Sequence, residues 1–225
     1  MTKTGVLEQT VAEETQDNTL HLLREIHHQV KNNLQIVCSL LRIQARSLST
    51  SESKAIFKRS EERIQSMALV YDMLYRGALL EGVPVGPYLS ELAKTLVHGA
   101  AVGGTLARVE CTIEPLLVTA KVATHLGLLV NEALSHRLRQ SSPSGEASEM
   151  HVHLYRRDKM VLFEVQDNGP IIERSVGVSD VERQILEALV RQLEGSIQYP
   201  PSEGFFMQVT MPQQALGLDE ARMPG

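Results

Sequence analysis

Tryptophan is absent from this 225-residue chain, and aromatic residues make up only 4% of it. A hydrophobic core must therefore be aliphatic, built on Leu, Val, Ile, Ala and Met. No apolar run reaches the roughly 20 residues that a membrane-spanning helix needs, so no membrane partner is expected. Residues 1–18 are polar and acidic and lack the apolar stretch of a secretory signal. Cysteine is scarce. Cys38 and Cys111 lie far apart in sequence, which points to two buried thiols in a reducing cytoplasm rather than a disulfide framework. With 15 Gly and 9 Pro the chain is neither collagenous nor of low complexity. Positive charge is in deficit, 22 Lys and Arg against 27 Asp and Glu for a net −5. Nucleic-acid binding needs a basic field and is not expected. What is present, 43% hydrophobic and 22% charged residues, suits a globular chain of one large domain or two small ones.

Residues 1–18 show no apolar periodicity and are expected to be a flexible leader. From Thr19 the pattern changes. Leu23, Ile26, Val30, Leu34, Val37, Leu41 and Leu48 recur at helical spacing, with no Gly or Pro from Thr19 to Ser49. Ser49 and Glu52 then offer a capping box, and a second helix is expected to about Arg76, ending at Gly77. Two long helices joined by a short turn form an antiparallel hairpin. One hairpin leaves an apolar face uncovered and two make a four-helix bundle, so a homodimer through residues 19–80 is expected.

The Pro/Gly-rich stretch Glu81–Pro87 is the expected domain boundary. Beyond it, helical patterns (Pro87 to about Val97, Ala120–Gln140, Ser179–Leu193) intersperse with strand patterns (Arg108–Ile113, Met150–Arg156, Met160–Gln166, Ser196–Tyr199, Phe205–Met211). Gly99–Gly104 and Ser141–Gly145 are expected loops. Adjacent antiparallel strands with helices on one face make an α+β sandwich over residues 87–212, followed by a frayed tail, 213–225.

The stretch Leu23–Gln35 carries the most chemistry. On a helical wheel His28 shares a polar face with His21, Asn32, Gln35 and Ser39, whereas His27 sits at the edge of the apolar stripe. An exposed neutral imidazole on a rigid helix has a nucleophilic nitrogen able to accept a phosphoryl group, and Asn32, one turn on, is placed to hydrogen-bond the ring. Taken alone, the same residues also describe an ordinary polar helix face. Chelation of a metal by His27 and His28 is not expected, because neighbouring helical residues point in different directions.

The run Glu25-Ile-His27-His28-Gln29-Val-Lys31-Asn32-Asn33-Leu-Gln35, continuing into Ser39-Leu-Leu-Arg-Ile-Gln44, closely resembles the H-box of subgroup 2 sensor histidine kinases. The usual run there is E-I-H-H-R-V-K-N-N-L-Q followed by S-L-L-x-L-Q. Within the central run only Gln29 departs from it. The resemblance implies a dimerisation and phosphoacceptor hairpin with His28 as phosphoacceptor. The larger group of histidine kinases places an acidic residue directly after that histidine to take its proton. Gln29 cannot do so, and Glu25, one turn earlier, is the nearest carboxylate.

Resemblance to the same family extends over Leu20–Pro212 and implies that the second half is a GHKL (Bergerat) ATPase-type domain. Leu126-Gly-Leu-Leu-Val-Asn131-Glu132 is similar to the start of the N-box helix. The Asn that normally follows four residues later and helps hold Mg²⁺ is His136 here, and the next Lys and His are Arg139 and Gln140. Imidazole is a poor ligand for a hard, oxygen-preferring cation. Val165-Gln-Asp167-Asn168-Gly169 resembles the first glycine box, whose Asp normally reads the adenine amino group, but the second glycine is replaced by Ile171. The glycines that normally precede the last helix have given way to Asp180-Val181-Glu182-Arg183, which places carboxylates where a triphosphate should approach. Glu132, His136, Asp167 and Gly169 thus mark a degenerate nucleotide site.

The expected function is histidine phosphotransfer in two-component signalling. His28 accepts a phosphoryl group from a response-regulator receiver domain and donates it to another, with Lys31 and Arg24 neutralising its charge. Phosphotransfer needs no cofactor of its own. Receiver domains are the expected partners, with an upstream kinase as a further one, and the length leaves no room for a sensor domain. Two alternatives stay open: a sensorless kinase that autophosphorylates from ATP and Mg²⁺, and a non-catalytic module that sequesters kinases or receivers.

Overall fold

The computed structural model describes residues 3–77, 82–102, 107–140, 148–168, 180–199 and 206–218; of residues 3–20, 23, 24, 75–77, 102, 140 and 206 it describes the backbone alone. The chain divides into two compact units, Met1–Glu81 and Gly82–Gly225.

The first unit is a helical hairpin of α1 (Lys3–Ser47) and α2 (Ser51–Gly77). Helix α1 starts at Lys3, so residues 3–18 are helical rather than an unstructured leader. Gly5 is their only glycine and they contain no proline. A helix already nucleated further along extends through such residues at little cost. The α2 cap also differs from the expected box. Thr50 Oγ1 accepts the Ser53 backbone N–H at 3.2 Å, one residue after the anticipated Ser49. Facing α2 on α1 are the partly or fully buried His27, Val30, Lys31, Leu34, Cys38 and Leu41. Leu22, Ile26, Ile36, Val37, Leu40 and Ile43 are apolar and exposed. The single stripe expected from the sequence is therefore two adjoining stripes, and α2 covers only one.

The second unit is α+β. Its elements are β1 (Val83–Pro84), α3 (Val85–Val102), β2 (Ala107–Ile113), β3 (Leu117–Val118), α4 (Ala120–Gln140), β4 (Ser148–Arg157), β5 (Met160–Asp167), α5 (Asp180–Gln192), β6 (Ser196–Gln198), β7 (Phe206–Pro212) and a 3₁₀ turn, Gln213–Leu216. Five strands form a sheet in the order β2-β4-β5-β7-β6. The β2–β4 pair is parallel and the others antiparallel. β1 and β3 form a separate antiparallel pair.

Strand alternation builds the core. Met150, Val152 and Leu154 of β4, Val161, Phe163 and Val165 of β5, and Met207, Val209 and Met211 of β7 are all buried. Leu89, Leu92, Leu126, Leu129 and Leu193 complete an aliphatic interior in which Tyr88 and Phe163 are the largest aromatic groups.

Three differences from the sequence reading have local causes. Val83 and Val85 are fully buried, so the stretch after Gly82 folds into this unit instead of linking to it. Helix α3 passes through Gly99 to Val102, because burial of Tyr88, Leu89, Leu92 and Ala93 outweighs the ~1 kcal/mol cost of a helical glycine. Leu216 is buried, so the segment after Pro212 is pinned through Gln213–Leu216 instead of fraying there. The expected loop Ser141–Gly145 and the end of the chain from residue 219 lie outside the described residues. Among the described residues no helix is long and apolar enough to cross a membrane. Both cysteines are free thiols.

Candidate functional site

Successive helical residues turn by about 100°, which divides α1 into three sectors. One meets α2, one is the exposed apolar stripe, and the third is polar and holds His28. Its imidazole is exposed, and Nδ1 lies 3.2 Å from the Asn32 side-chain amide nitrogen. His27 points differently. Its ring packs against Tyr71 of α2, with centroids 6.0 Å apart and planes tilted by 55°. It is a packing residue, and His28 is the imidazole presented to solvent.

The other residues singled out around His28 separate. Glu25 is exposed on α1, three residues before His28. Lys31 is turned toward α2, where its ammonium pairs with the Asp72 carboxylate. That pair ties the hairpin together beside the imidazole and engages the cation expected to meet a phosphoryl group. The Arg24 side chain lies outside the described residues.

In the second unit, strand parity decides where Asp167 points. It shares its face with Val161, Phe163 and Val165, so it faces the helix layer at the end of β5. There it meets Arg137 of α4, whose Nε donates to Asp167 Oδ2. The pair is shut off from water, with 3% of the Arg137 side chain and none of the Asp167 side chain exposed. Asn168 closes the end of the β4–β5 pair, its Oδ1 accepting the Glu149 backbone N–H at 2.9 Å. Gly169, Ile171 and Gly177 lie outside the described residues.

Glu132 is buried and accepts from the Asn131 amide at 3.2 Å, while Asn131 Oδ1 is a buried acceptor with no partner among the described residues. His136 is buried beside Glu182, with Nδ1 3.5 Å from Oε2. Burial pushes the His136 imidazole below its ordinary range, against the opposing pull of Glu182. Arg139 donates to the other oxygen of Glu182. The structure thus joins His136, Arg139 and Glu182 in one cluster, and Asp167 with Arg137 in another.

This arrangement does not fit an adenine nucleotide. The carboxylate that would read the base is already hydrogen-bonded to a guanidinium. The position that would supply an oxygen to Mg²⁺ is an imidazole drawn toward a carboxylate. Among the described residues of these two clusters and Asn131, Asn131 Oδ1 is a buried acceptor without a partner. Sequence reasoning missed Arg137. Its one signal was a fixed charge beside the core positions Leu134 and Leu138, which demands a buried partner.

A histidine kinase family model (HisKA_2) matches residues 25–100. The sensor histidine kinase PdtaS of Mycobacterium tuberculosis is 27% identical over 180 residues, 78% of this chain and 36% of that protein. PdtaS of Mycolicibacterium smegmatis is 54% identical over 52 residues, 23% of this chain and 10% of that protein. The match thus spans about a third of the length of the Mycobacterium tuberculosis protein and a tenth of that of the Mycolicibacterium smegmatis one. Among solved structures, the histidine kinase domain of the blue-light activated histidine kinase EL346 from Erythrobacter litoralis is similar. Its TM-score is 0.61 at 20% identity, over 88% of this chain and 96% of that one. The shared fold is a helical hairpin followed by an α/β sandwich.

Proposed function

The chain belongs to the histidine kinase family, and from that premise we propose that it is a dimeric phosphotransfer protein of two-component signalling. His28 takes a phosphoryl group from the phosphoaspartate of one receiver domain and passes it to the aspartate of another. The observation that carries this reading is the exposed His28 imidazole with the Asn32 amide at its Nδ1.

The chemistry needs a lone pair on Nε2. With the ring proton on Nδ1 and the Asn32 amide turned to present its oxygen, Nδ1–H donates to Asn32 and the Nε2 pair is nucleophilic. The 3.2 Å contact admits either orientation of the amide, and the orientation and the tautomer change together. The Nε2 pair attacks phosphorus. The P–N bond forms as the acyl P–O bond breaks, and the receiver carboxylate leaves with the bonding electrons. The ring gains positive charge, which the Asn32 carbonyl dipole stabilises. No proton leaves before attack, so a carboxylate at position 29 is dispensable and Gln29 is tolerated. The reverse displacement returns the group to a second receiver.

Incubation with a ³²P-labelled phospho-receiver tests the proposal. The full chain takes up label and the His28→Ala variant does not. Absence of transfer, or label retained by His28→Ala, refutes it. A second reading, autophosphorylation of His28 from ATP, is supported by the similar proteins being named sensor histidine kinases. Robust labelling of His28 by Mg-ATP alone favours that reading over phosphotransfer.

A further inference from the structure

We propose that the nucleotide site of the second unit is closed from within by its own side chains. Arg137 occupies the carboxylate that would read adenine, and Glu182 fastens the start of α5 to α4. Placing Asp167 at the base-recognition position rests on the family membership from which the proposed function starts. It does not depend on whether His28 transfers phosphate.

The geometry follows from the α4 sequence. His136 and Arg139 are three residues apart and share a helix face, which meets Glu182 in the first turn of α5. Arg137, rotated by about 100° from His136, faces the sheet instead and reaches Asp167. Two successive residues of α4 thus engage two different elements, β5 and α5. A helix start that glycines would leave open to phosphates is held against α4 by a buried carboxylate.

Competition decides the occupancy. Adenine offers Asp167 one neutral N–H donor, whereas Arg137 offers a charge-assisted hydrogen bond within the same chain, at no cost of association. For adenine to enter, a guanidinium that is almost fully buried must give up its carboxylate and be rehoused. Any phosphates that followed would face Asp180 and Glu182 at the start of α5. Both effects oppose binding, and the second uses residues that differ from the family pattern at the phosphates.

Chemical rescue in the full chain tests the closure. Arg137→Ala leaves a guanidinium-shaped space beside Asp167. Methylguanidinium and adenosine, each at millimolar concentration, are expected to raise the melting temperature of Arg137→Ala by about 2–4 °C. Neither is expected to shift the wild-type chain. Rescue by methylguanidinium alone overturns the adenine assignment, and rescue by neither overturns the closure. A wild-type chain that adenosine stabilises as much as the variant overturns it too. Should Arg137→Ala not fold, the Arg137 Nε–H resonance of the wild type decides. A signal protected from exchange and unmoved by ADP supports the closure, and one shifted or lost on adding ADP overturns it.

Discussion

Four imidazoles and one amide show how environment assigns work to identical groups. His27 is committed to Tyr71, while His28, turned away by the helix, keeps Asn32 at its Nδ1. If that amide holds the proton on Nδ1, Asn32→Ala removes one hydrogen bond worth about 1 kcal/mol. The rate of receiver-to-His28 transfer then falls about fivefold to tenfold, with helicity and oligomeric state unchanged; an unaltered rate by rapid-quench labelling removes Asn32 from the mechanism. The second pair of histidines sets a pH dependence. Burial pushes His136 below the ordinary 6.5, and burial, with Lys121 nearby, does the same to His125. Each therefore binds fewer protons in the folded than in the unfolded chain once pH falls through 6.5. The resulting stability is fully present above about pH 6.5 and is lost as pH drops toward the lowered folded values. The melting temperature is expected to decline between about pH 7 and pH 5, and His125→Gln with His136→Gln to flatten that decline. An equal slope in the double variant assigns it to other groups.

Helices and strands separate what the amino-acid pattern determines locally from what it leaves to packing. Helix α4 coincides with the apolar pattern Ala120–Gln140, and β4 and β5 follow their period-two alternation to within two residues. These boundaries were legible because side-chain periodicity and turn chemistry act over a few residues. The helix of residues 3–18 was not, because it inherits its conformation from the helix that follows. The contacts of Arg137 were not, because its partner lies 30 residues away and only the folded sheet brings the two together. His28 was legible from its place on the wheel, whereas the pairing of Lys31 with Asp72 depends on the hairpin closing. Gly127 is a further packing effect of this kind. It lies in the middle of α4, and a Cβ there would overlap the hydroxyl of Tyr88, which is itself completely buried in α3. With no space for the phenol to yield, Gly127→Ala overrides the alanine's better helix propensity by overpacking, at a cost of about 1–3 kcal/mol. At this chain length that is a fall of about 2–4 °C in melting temperature per kcal/mol. Pairing it with Tyr88→Phe, which removes the overlapping oxygen, is expected to recover part of the loss, and a Gly127→Ala variant as stable as the parent would contradict the close approach.

The two units meet the problem of burial differently. The sandwich covers one face of its sheet with three helices of its own. The hairpin has only α2 to set against α1, whose second apolar stripe stays open, with Ile36 at 58% and Leu40 at 53% exposure. Apolar residues that recur on one exposed face from Leu22 to Ile43, broken only by Gln29 and Asn33, are more than singly scattered surface groups. A second copy of the same stripe fits it best, because a two-fold pairing of identical faces sets like apolar residues together and closes without leaving a free edge. The polar sector carrying His28 lies roughly 120° away on the wheel, so a dimer formed through Leu22, Ile26, Ile36, Leu40 and Ile43 leaves both imidazoles accessible to receivers. Light scattering on the full chain is expected to give twice the monomer mass, and the melting temperature to rise with protein concentration, because association then contributes to stability. Ile36→Glu with Leu40→Glu places four carboxylates on the shared face of the pair. The expected result is a monomer with a concentration-independent melting temperature and, since neither residue faces α2, an unchanged circular dichroism spectrum. A wild-type chain that is monomeric at all concentrations, or a variant that remains dimeric, assigns the open stripe to some other occupant.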